Sequence, residues 1–191
     1  MTQQSTELQF NVAGLLKDPV GATRTYEFHE PTVLLDDGLV ARDVTGSVRL
    51  LRINSGILAQ ASAAGSVVLE CSRCLEPMPA HLEASFEEEY RPLIDVVTGQ
   101  AAPGALEGET DEDFTRLTAD HLLDLGEPLR QMLLVTVPYS PICRSDCSGL
   151  CPECGRNLNE GACGCSHEHA DPRWAGLAAL LVDIDDERGA S

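Results

Sequence analysis

Apolar and polar residues alternate most regularly between residues 44 and 92, and this pattern predicts β-strands. The clearest segment reads HLEASFEEEY and spans residues 81–90. Its apolar positions are Leu82, Ala84, Phe86 and Tyr90. Its polar positions are Glu83, Ser85, Glu87 and Glu89. Because successive side chains of a strand point to opposite faces, the segment predicts a strand with one buried and one solvent-exposed face.

Other apolar runs predict further short strands around this one. Three of them read VTGSVRLLRI, GILAQASAAG and SVVLECSRC, each bounded by glycine, asparagine or serine. Nearer the start of the chain, LQFNVAGLL predicts an opening strand within residues 1–17, and TRTYEFHE predicts a second at residues 23–30. Together these segments predict an antiparallel β meander or small barrel over roughly residues 5–92.

Two segments carry helix signals. The segment GEPLRQMLLVTVP predicts a core helix at about residues 127–137, with Pro128 in its first turn and Pro138 as its stop. The helical spacing is seen at Leu129, Met132, Leu133 and Thr136. Just before it, HLLDL predicts a short strand. Near the end of the chain, Asp171 and Pro172 suit the start of a C-terminal helix.

The predicted fold class is α+β, with one or two helices packed on the sheet. Residues 1–138 are predicted to form a β-rich domain, and residues 139–185 a cysteine-rich zinc-binding module followed by the C-terminal helix. Residues 95–113 are rich in glycine and acidic residues but hold few large apolar side chains, so they predict a mobile acidic loop. A chain of 191 residues has room for one ordinary core and a small module.

The charge of the chain limits the classes of partner that it is expected to bind. Thirty-one acidic residues against thirteen basic ones give a net charge of −18, which repels nucleic acid and argues against DNA as a partner. The charge favours a basic protein, although acidity can also serve solubility alone. Between Glu83 and Glu127, thirteen acids against two arginines leave a net charge of −11, so we expect a basic partner to dock there.

The start of the chain shows no basic leader followed by a long apolar run. No window approaches the ~20 apolar residues that a membrane span requires. We therefore expect a cytoplasmic protein with no membrane partner. In that reducing compartment, clustered cysteines favour metal ligation over disulfides.

Six of the eight cysteines lie within CRSDCSGLCPECGRNLNEGACGCSHEH, residues 143–169. The pair in CPECG has the spacing of a zinc knuckle, with Gly155 relieving backbone strain after the second cysteine. The candidate metal ligands are Cys143, Cys147, Cys151, Cys154, Cys163 and Cys165. These residues predict a zinc site in the module.

The spacing leaves the full ligand set open. We expect one zinc anchored by Cys151 and Cys154, and the remaining pair is either Cys143 with Cys147 or Cys163 with Cys165. Two ions are also conceivable, because six cysteines with His167 and His169 exceed what one zinc can use. Sulfur donors in surplus and no HExxH pattern favour a closed structural site over a catalytic one.

The other two cysteines, Cys71 and Cys74 in ECSRCLEP, fall where a hairpin turn is expected. They have three possible roles. They could be half of a metal site completed by cysteines of the tail, a redox pair, or cysteines that only pack. The redox role is the weakest, because the pair does not open a helix that would stabilise a thiolate.

Taken in order, several motifs resemble the YceD family, a bacterial and plastid family associated with the accumulation of large-subunit ribosomal RNA. They are CSRCLEP, the acidic strand and loop, the helix ending in VP, CxxxCxGLCPECGxNLN with CGC, and DPRWAGLAAL. The resemblance covers about residues 40–182. It implies a noncatalytic ribosome-biogenesis factor that binds a basic ribosomal protein or a pre-ribosomal large subunit. It also implies that the metal module stabilises the fold.

Two other hypotheses remain. A direct RNA-binding processing factor would need the arginines at positions 42, 49, 52 and 73 to gather on one face. Arg49 and Arg52 are three residues apart, so they fall on opposite faces of a regular strand. A zinc carrier or other metalloprotein is the third hypothesis.

Overall fold

The computed structural model describes residues 8–102 and 116–166. The strands are β1 (Gln9–Asn11), β2 (Thr23–Asp36), β3 (Leu39–Arg52), β4 (Ile57–Glu70), β5 (Pro77–Pro92), β6 (Arg116–Leu117) and β7 (Leu122–Asp124). The α-helices are α1 (Ala13–Lys17) and α2 (Gly126–Thr136), and a 3-10 helix spans Leu158–Glu160. Within the described residues, one compact unit holds residues up to 71 and residues 76–143, and a second holds residues 72–75 and those from 144 onward.

The first unit is built on a five-stranded sheet in the order β2-β3-β4-β5-β6. Strands β2 to β5 pair antiparallel with their sequence neighbours, and β6 adds a short parallel pairing to β5. A separate two-stranded antiparallel sheet joins β1 to β7. The α+β class and the antiparallel meander predicted from the sequence are therefore confirmed.

Strand β5 shows the predicted division into two faces. Its apolar positions from Leu82 to Tyr90 are buried, and Tyr90 is completely covered. The outward positions Glu83, Ser85 and Glu87 are exposed. The Tyr90 hydroxyl donates a hydrogen bond of 2.8 Å to the carbonyl oxygen of Asp124, which satisfies the polar end of this buried ring.

The two strands predicted for GILAQASAAG and SVVLECSRC are one continuous strand, β4. Gly65, the predicted boundary between them, lies inside the strand, where it allows a close approach of β3 to β4. A Cβ atom there would lie 2.9 Å from Cγ2 of Val44 and 3.3 Å from the carbonyl oxygen of Arg42. The pairing of β3 with β4 shifts register between Arg42 and Thr45, so the glycine faces an irregularity in its neighbour.

The predicted opening strand LQFNVAGLL is also different in the structure. Only Gln9–Asn11 are extended, and the chain then turns into the short helix α1. The side-chain oxygen of Asn11 accepts a hydrogen bond of 3.1 Å from the backbone N–H of Ala13. Leu15 and Leu16 of α1 are buried, so helical spacing within this run overrides its loose alternation.

Helix α2 confirms the predicted core helix, and β7 confirms the short strand before it. Leu129 and Leu133 are completely buried, and Met132 packs against the core while remaining partly exposed. No helix in the described part of the chain is long and apolar enough to cross a membrane.

The described part of the predicted acidic loop contains a hydrogen-bonded turn. The Asp95 carboxylate accepts hydrogen bonds from the backbone N–H groups of Val97 (3.0 Å) and Thr98 (2.7 Å). The bond from Thr98 is the largest cause that lowers the pKa of Asp95, and the bond from Val97 lowers it further. The rest of the loop, the C-terminal helix with Asp171 and Pro172, and both tail histidines lie outside the described residues.

Candidate functional site

The second unit contains a group of four cysteines. The sulfur atoms of Cys151, Cys154, Cys163 and Cys165 all lie within 4.8 Å of one another. A tetrahedral zinc with bonds of ~2.3 Å separates its sulfur ligands by about 3.8 Å, so this spacing is close to that of a four-thiolate site. Four protein ligands would close the coordination sphere and leave no position for a substrate.

The turn at Cys151 orients the first two sulfurs of this group. The Cys151 N–H donates to the carbonyl oxygen of Arg156 at 2.8 Å, and the Gly155 N–H donates to the carbonyl oxygen of Cys151 at 2.9 Å. Gly155 has a φ of 71°, a left-handed conformation that glycine adopts without a steric penalty. The backbone therefore closes a tight turn that places both sulfurs on one side.

The thiols of this group influence one another's ionisation. The backbone N–H of Cys154 lies 3.5 Å from Sγ of Cys151 and donates to it. This hydrogen bond is the largest of the causes that lower the pKa of Cys151 to about 6. The neighbouring thiols of Cys154 and Cys163 raise the pKa of Cys165 to about 12. Four crowded thiols cannot all ionise without a compensating charge, and a divalent cation supplies that charge.

A second group comprises Cys71, Cys74, Cys143 and Cys147, whose sulfur atoms also lie within 4.8 Å of one another. The backbone N–H of Cys143 lies 3.4 Å from Sγ of Cys71 and donates to it. Cys71, Cys74 and Cys147 are buried, and Cys143 is exposed. Both groups offer the soft sulfur donors that zinc accepts in structural sites.

The six ligands predicted from the sequence are thus divided between two groups. Of the two pairs left open, Cys163 and Cys165 lie beside Cys151 and Cys154. Cys143 and Cys147 lie instead with the hairpin cysteines at positions 71 and 74. All eight cysteines of the chain therefore belong to one of two sets of four.

Asn159 is a supporting residue that the sequence argument did not identify. Its side-chain oxygen accepts hydrogen bonds from the backbone N–H of Ser148 (2.8 Å) and from Arg144 (2.7 Å). Its side-chain nitrogen donates to Sγ of Cys147 at 3.4 Å and to Asn157 at 2.7 Å. The two asparagines of the NLN segment were the signal available in the sequence, because polar groups that hydrogen-bond to metal ligands orient them.

A groove of about 1190 Å³ crosses the outward face of the sheet in the first unit. One row of paired residues in its lining is Glu27, Ser47, Ser62 and Ser85. The next row is His29, Thr45, Ala64 and Glu83. Small side chains leave the middle of the face open, and the lining residues include two glutamates but no lysine or arginine.

The arginines on β3 do not share a role. Arg49 is exposed and pairs across the sheet with Gln60. Arg52 bonds to backbone carbonyl groups, including those of Leu16 (3.3 Å) and Gly56 (3.0 Å), and also to that of Ile53. Because Arg52 is committed to the backbone, it is a poor contributor to a phosphate-binding patch.

Residues 59–181 match the family model described as large ribosomal RNA subunit accumulation protein YceD. The chain belongs to the YceD family. The YceD match contains β4 from residue 59 onward, all of β5 and α2, and every cysteine of the two groups. No solved structure matches the chain significantly.

Two relatives of the chain illustrate the range of organisms. An uncharacterized protein of Mycobacterium tuberculosis (strain ATCC 25618 / H37Rv) is 34% identical over 135 residues, which cover 70% of this chain and 60% of the relative. A maize protein, large ribosomal RNA subunit accumulation protein YCED homolog 1, chloroplastic, is 31% identical over 146 residues. Those residues cover 66% of this chain and 48% of the maize protein. The YceD chain described here therefore spans about half to three fifths of these relatives.

Proposed function

We propose that this protein is a noncatalytic factor of ribosome biogenesis that supports the accumulation or processing of large-subunit ribosomal RNA. Membership of the YceD family carries the proposal, because the family is described by that role. The name of the maize relative describes the same role in the chloroplast. We place the action of this chain in the cytoplasm, with a ribosomal component as its partner.

The proposed partner is a basic ribosomal protein or a pre-ribosomal large subunit that exposes one. A net charge of −18 attracts such a partner and repels free RNA. In the first unit, Glu83 and Glu87 extend outward from β5, and Glu27 and Glu83 line the groove. An extended segment rich in arginine or lysine fits this face, because small side chains admit its backbone and carboxylates meet its charges.

The cysteine groups have a supporting role in this proposal. Zinc held by four thiolates has no open position, so it would stabilise the loops around it without taking part in a reaction. The module would then keep its shape while the acidic surface of the chain contacts the partner.

Removal and restoration of the gene test the biological part of the proposal. We expect cells without the protein to contain less large-subunit ribosomal RNA relative to small-subunit RNA, and the wild-type chain to restore the ratio. An unchanged ratio after deletion would contradict the proposed role.

Affinity capture at two salt concentrations tests the partner. We expect large-subunit proteins to be enriched at low ionic strength and lost at high ionic strength, since exposed charges are screened by salt. Glu83→Lys with Glu87→Lys should weaken the capture. A matched control is Asp37→Lys with Glu70→Lys, which makes the same change in net charge at two exposed positions elsewhere on the surface. An equal loss of capture in both double variants would mean that net charge alone, and not the groove face, attracts the partner.

A further inference from the structure

We propose that the groove on the outward face of the sheet selects an extended partner segment in which two basic residues lie four positions apart and small neutral residues separate them. The inference rests on the proposed function, since it specifies which basic segment of the partner is bound. All the residues that carry it belong to the first unit. The ends, the floor and the border of the groove support it in turn.

The two carboxylates of the groove lie at its opposite ends. Glu27 is on β2 and Glu83 is on β5, which are the first and fourth strands in the order of the sheet. Both side chains are exposed. Oε1 of Glu83 lies 3.3 Å from Nε2 of His81, but this pair is exposed and therefore weak. A basic side chain can approach a carboxylate at each end.

The distance between these ends sets the spacing of the basic residues in the partner. Adjacent strands lie about 4.8 Å apart, and residues two apart on one strand are separated by about 7 Å. Three strand spacings and one such step along β5 place the Cα atoms of Glu27 and Glu83 about 16 Å apart. Residues four positions apart in an extended chain are about 14 Å apart and point to the same side. Two arginine or lysine side chains at this spacing reach both carboxylates.

The floor between the ends consists of short side chains that carry hydroxyl groups. Ser47, Ser62 and Ser85 follow Glu27 in one row of paired residues. Oγ of Ser47 lies 3.5 Å from Oγ of Ser62. Because hydroxyl groups both donate and accept hydrogen bonds, they can pair with the peptide groups of a chain that crosses the strands. The floor therefore fits a backbone that carries small residues.

A row with longer side chains borders the groove on one side. Its members are Thr25, Arg49, Gln60 and Glu87, which lie outside the lining of the groove. Arg49 is exposed, and Gln60 donates a hydrogen bond of 2.7 Å to Glu87. The positive charge of Arg49 lies beside the middle of the groove and repels a basic residue at the centre of the segment. The border therefore favours charge at the two ends of the segment and neutral residues between them.

Titration of the intact chain with short synthetic peptides, followed by two-dimensional NMR at up to millimolar peptide, tests the inference. One peptide carries two arginines four positions apart, separated by alanine, serine and alanine. The other has the same composition, but its arginines are three positions apart. Side chains three positions apart point to opposite sides of an extended chain, so the second peptide can engage only one carboxylate. We expect the first peptide to bind about two to five times more tightly, and to shift the amide signals of Ser47 and Ser62.

A matched pair of variants tests the role of the groove ends. Glu27→Gln should remove the preference between the two peptides, because it leaves one carboxylate in the groove. Asp37→Asn is the control and should keep the preference, since it removes one negative charge from an exposed position outside the groove. A preference retained in the Glu27 variant would overturn the inference.

The outcomes separate this inference from the proposed function. Equal affinity of the wild type for the two peptides would overturn the selection by spacing and leave the basic partner in place. Binding of neither peptide, or shifts confined to residues outside the groove, would contradict both the selection by spacing and the docking of a basic partner on this face.

Discussion

The two units of the molecule are stabilised in different ways. In the first, large side chains such as Leu50, Leu129 and Leu133 are completely buried in one apolar cluster. Among the described residues of the second unit, Gly149 is buried, and the only buried side chains are those of Cys74, Cys147 and Cys151. Leu150 and Leu158 are partly exposed. A few half-covered apolar groups cannot offset the entropy of ordering residues 144–166.

This difference separates the perturbations to which each unit should respond. Structural zinc contributes about 10–16 kcal/mol of apparent binding free energy in small zinc-dependent peptides. A unit that depends on such an ion should lose its structure when a ligand is removed. A unit that depends on an apolar core should respond to cavities and be indifferent to the metal. The following predictions test this distinction, from the largest expected effect to the smallest.

Cys151→Ser should have the largest effect, because it removes a ligand of the group at positions 151, 154, 163 and 165. We expect residues 144–166 to become susceptible to protease while the sheet of the first unit stays resistant. Limited proteolysis with mass spectrometry measures both. Ser148→Ala, in an exposed position of the same loop, is the control and should leave the digestion pattern unchanged. Resistance of the loop in the Cys151 variant would argue against a structural metal.

Leu133→Ala should lower the free energy of unfolding of the first unit by about 2–5 kcal/mol, because it opens a cavity under α2. Urea denaturation followed by circular dichroism measures the change. Val135→Ala on the same helix is the control, since Val135 is 77% exposed. We expect metal content to be the same in both variants. Metal loss in the Leu133 variant alone would mean that the two units do not respond independently.

Asn159→Ala should weaken metal binding by roughly 10–100-fold, the usual effect of removing a group that orients a ligand. The substitution removes the donor to Sγ of Cys147 and the acceptor of the Ser148 N–H. Competition with a chromophoric chelator measures the affinity. Asn54→Ala in the β3–β4 turn serves as the control, because it changes the same residue type in the first unit. Unchanged affinity would show that Asn159 only shapes the loop.

Glu127→Gln should have the smallest effect, below about 1 kcal/mol, because the ion pair is partly exposed. Arg130 donates two hydrogen bonds to this carboxylate, at 2.6 and 2.8 Å, and lowers its pKa below the ordinary value of 4.5. A lowered pKa in the folded state contributes stability above the unfolded-state pKa, and the contribution is lost as the pH falls through the folded value. The wild type should therefore lose its advantage over the variant as the pH falls below the ordinary value of 4.5.

Urea titrations across that pH range measure the effect, and Glu70→Gln, an exposed carboxylate of β4, is the control. An advantage of the wild type that grows on acidification would contradict the assigned sign.

The sequence was most informative where a buried face repeats regularly. Alternation predicted the two faces of β5, and helical spacing predicted α2, because in both elements one side packs on the core. It failed at Gly65, where glycine inside a strand resembles a boundary although it serves a close contact with Val44. It also failed at α1, a helix of five residues that is too short for its period to be distinguished from alternation.

The cysteines were identified from sequence, but their grouping was not. Spacing alone shows that Cys151 and Cys154 can share an ion, because they lie in one turn. The association of Cys71 with Cys143 depends on the folding of the sheet unit, which brings together residues separated by 72 positions. Local spacing carries no information about such a contact, so the choice between the possible ligand sets required the structure.

Hydrogen–deuterium exchange of the intact chain, before and after zinc is removed by a chelator, tests the contrast between the two units most directly. The account predicts that amides of residues 144–166 lose their protection when the metal is removed, while those of β2 to β5 keep it. Unchanged protection of residues 144–166 in protein shown to be free of metal would contradict it.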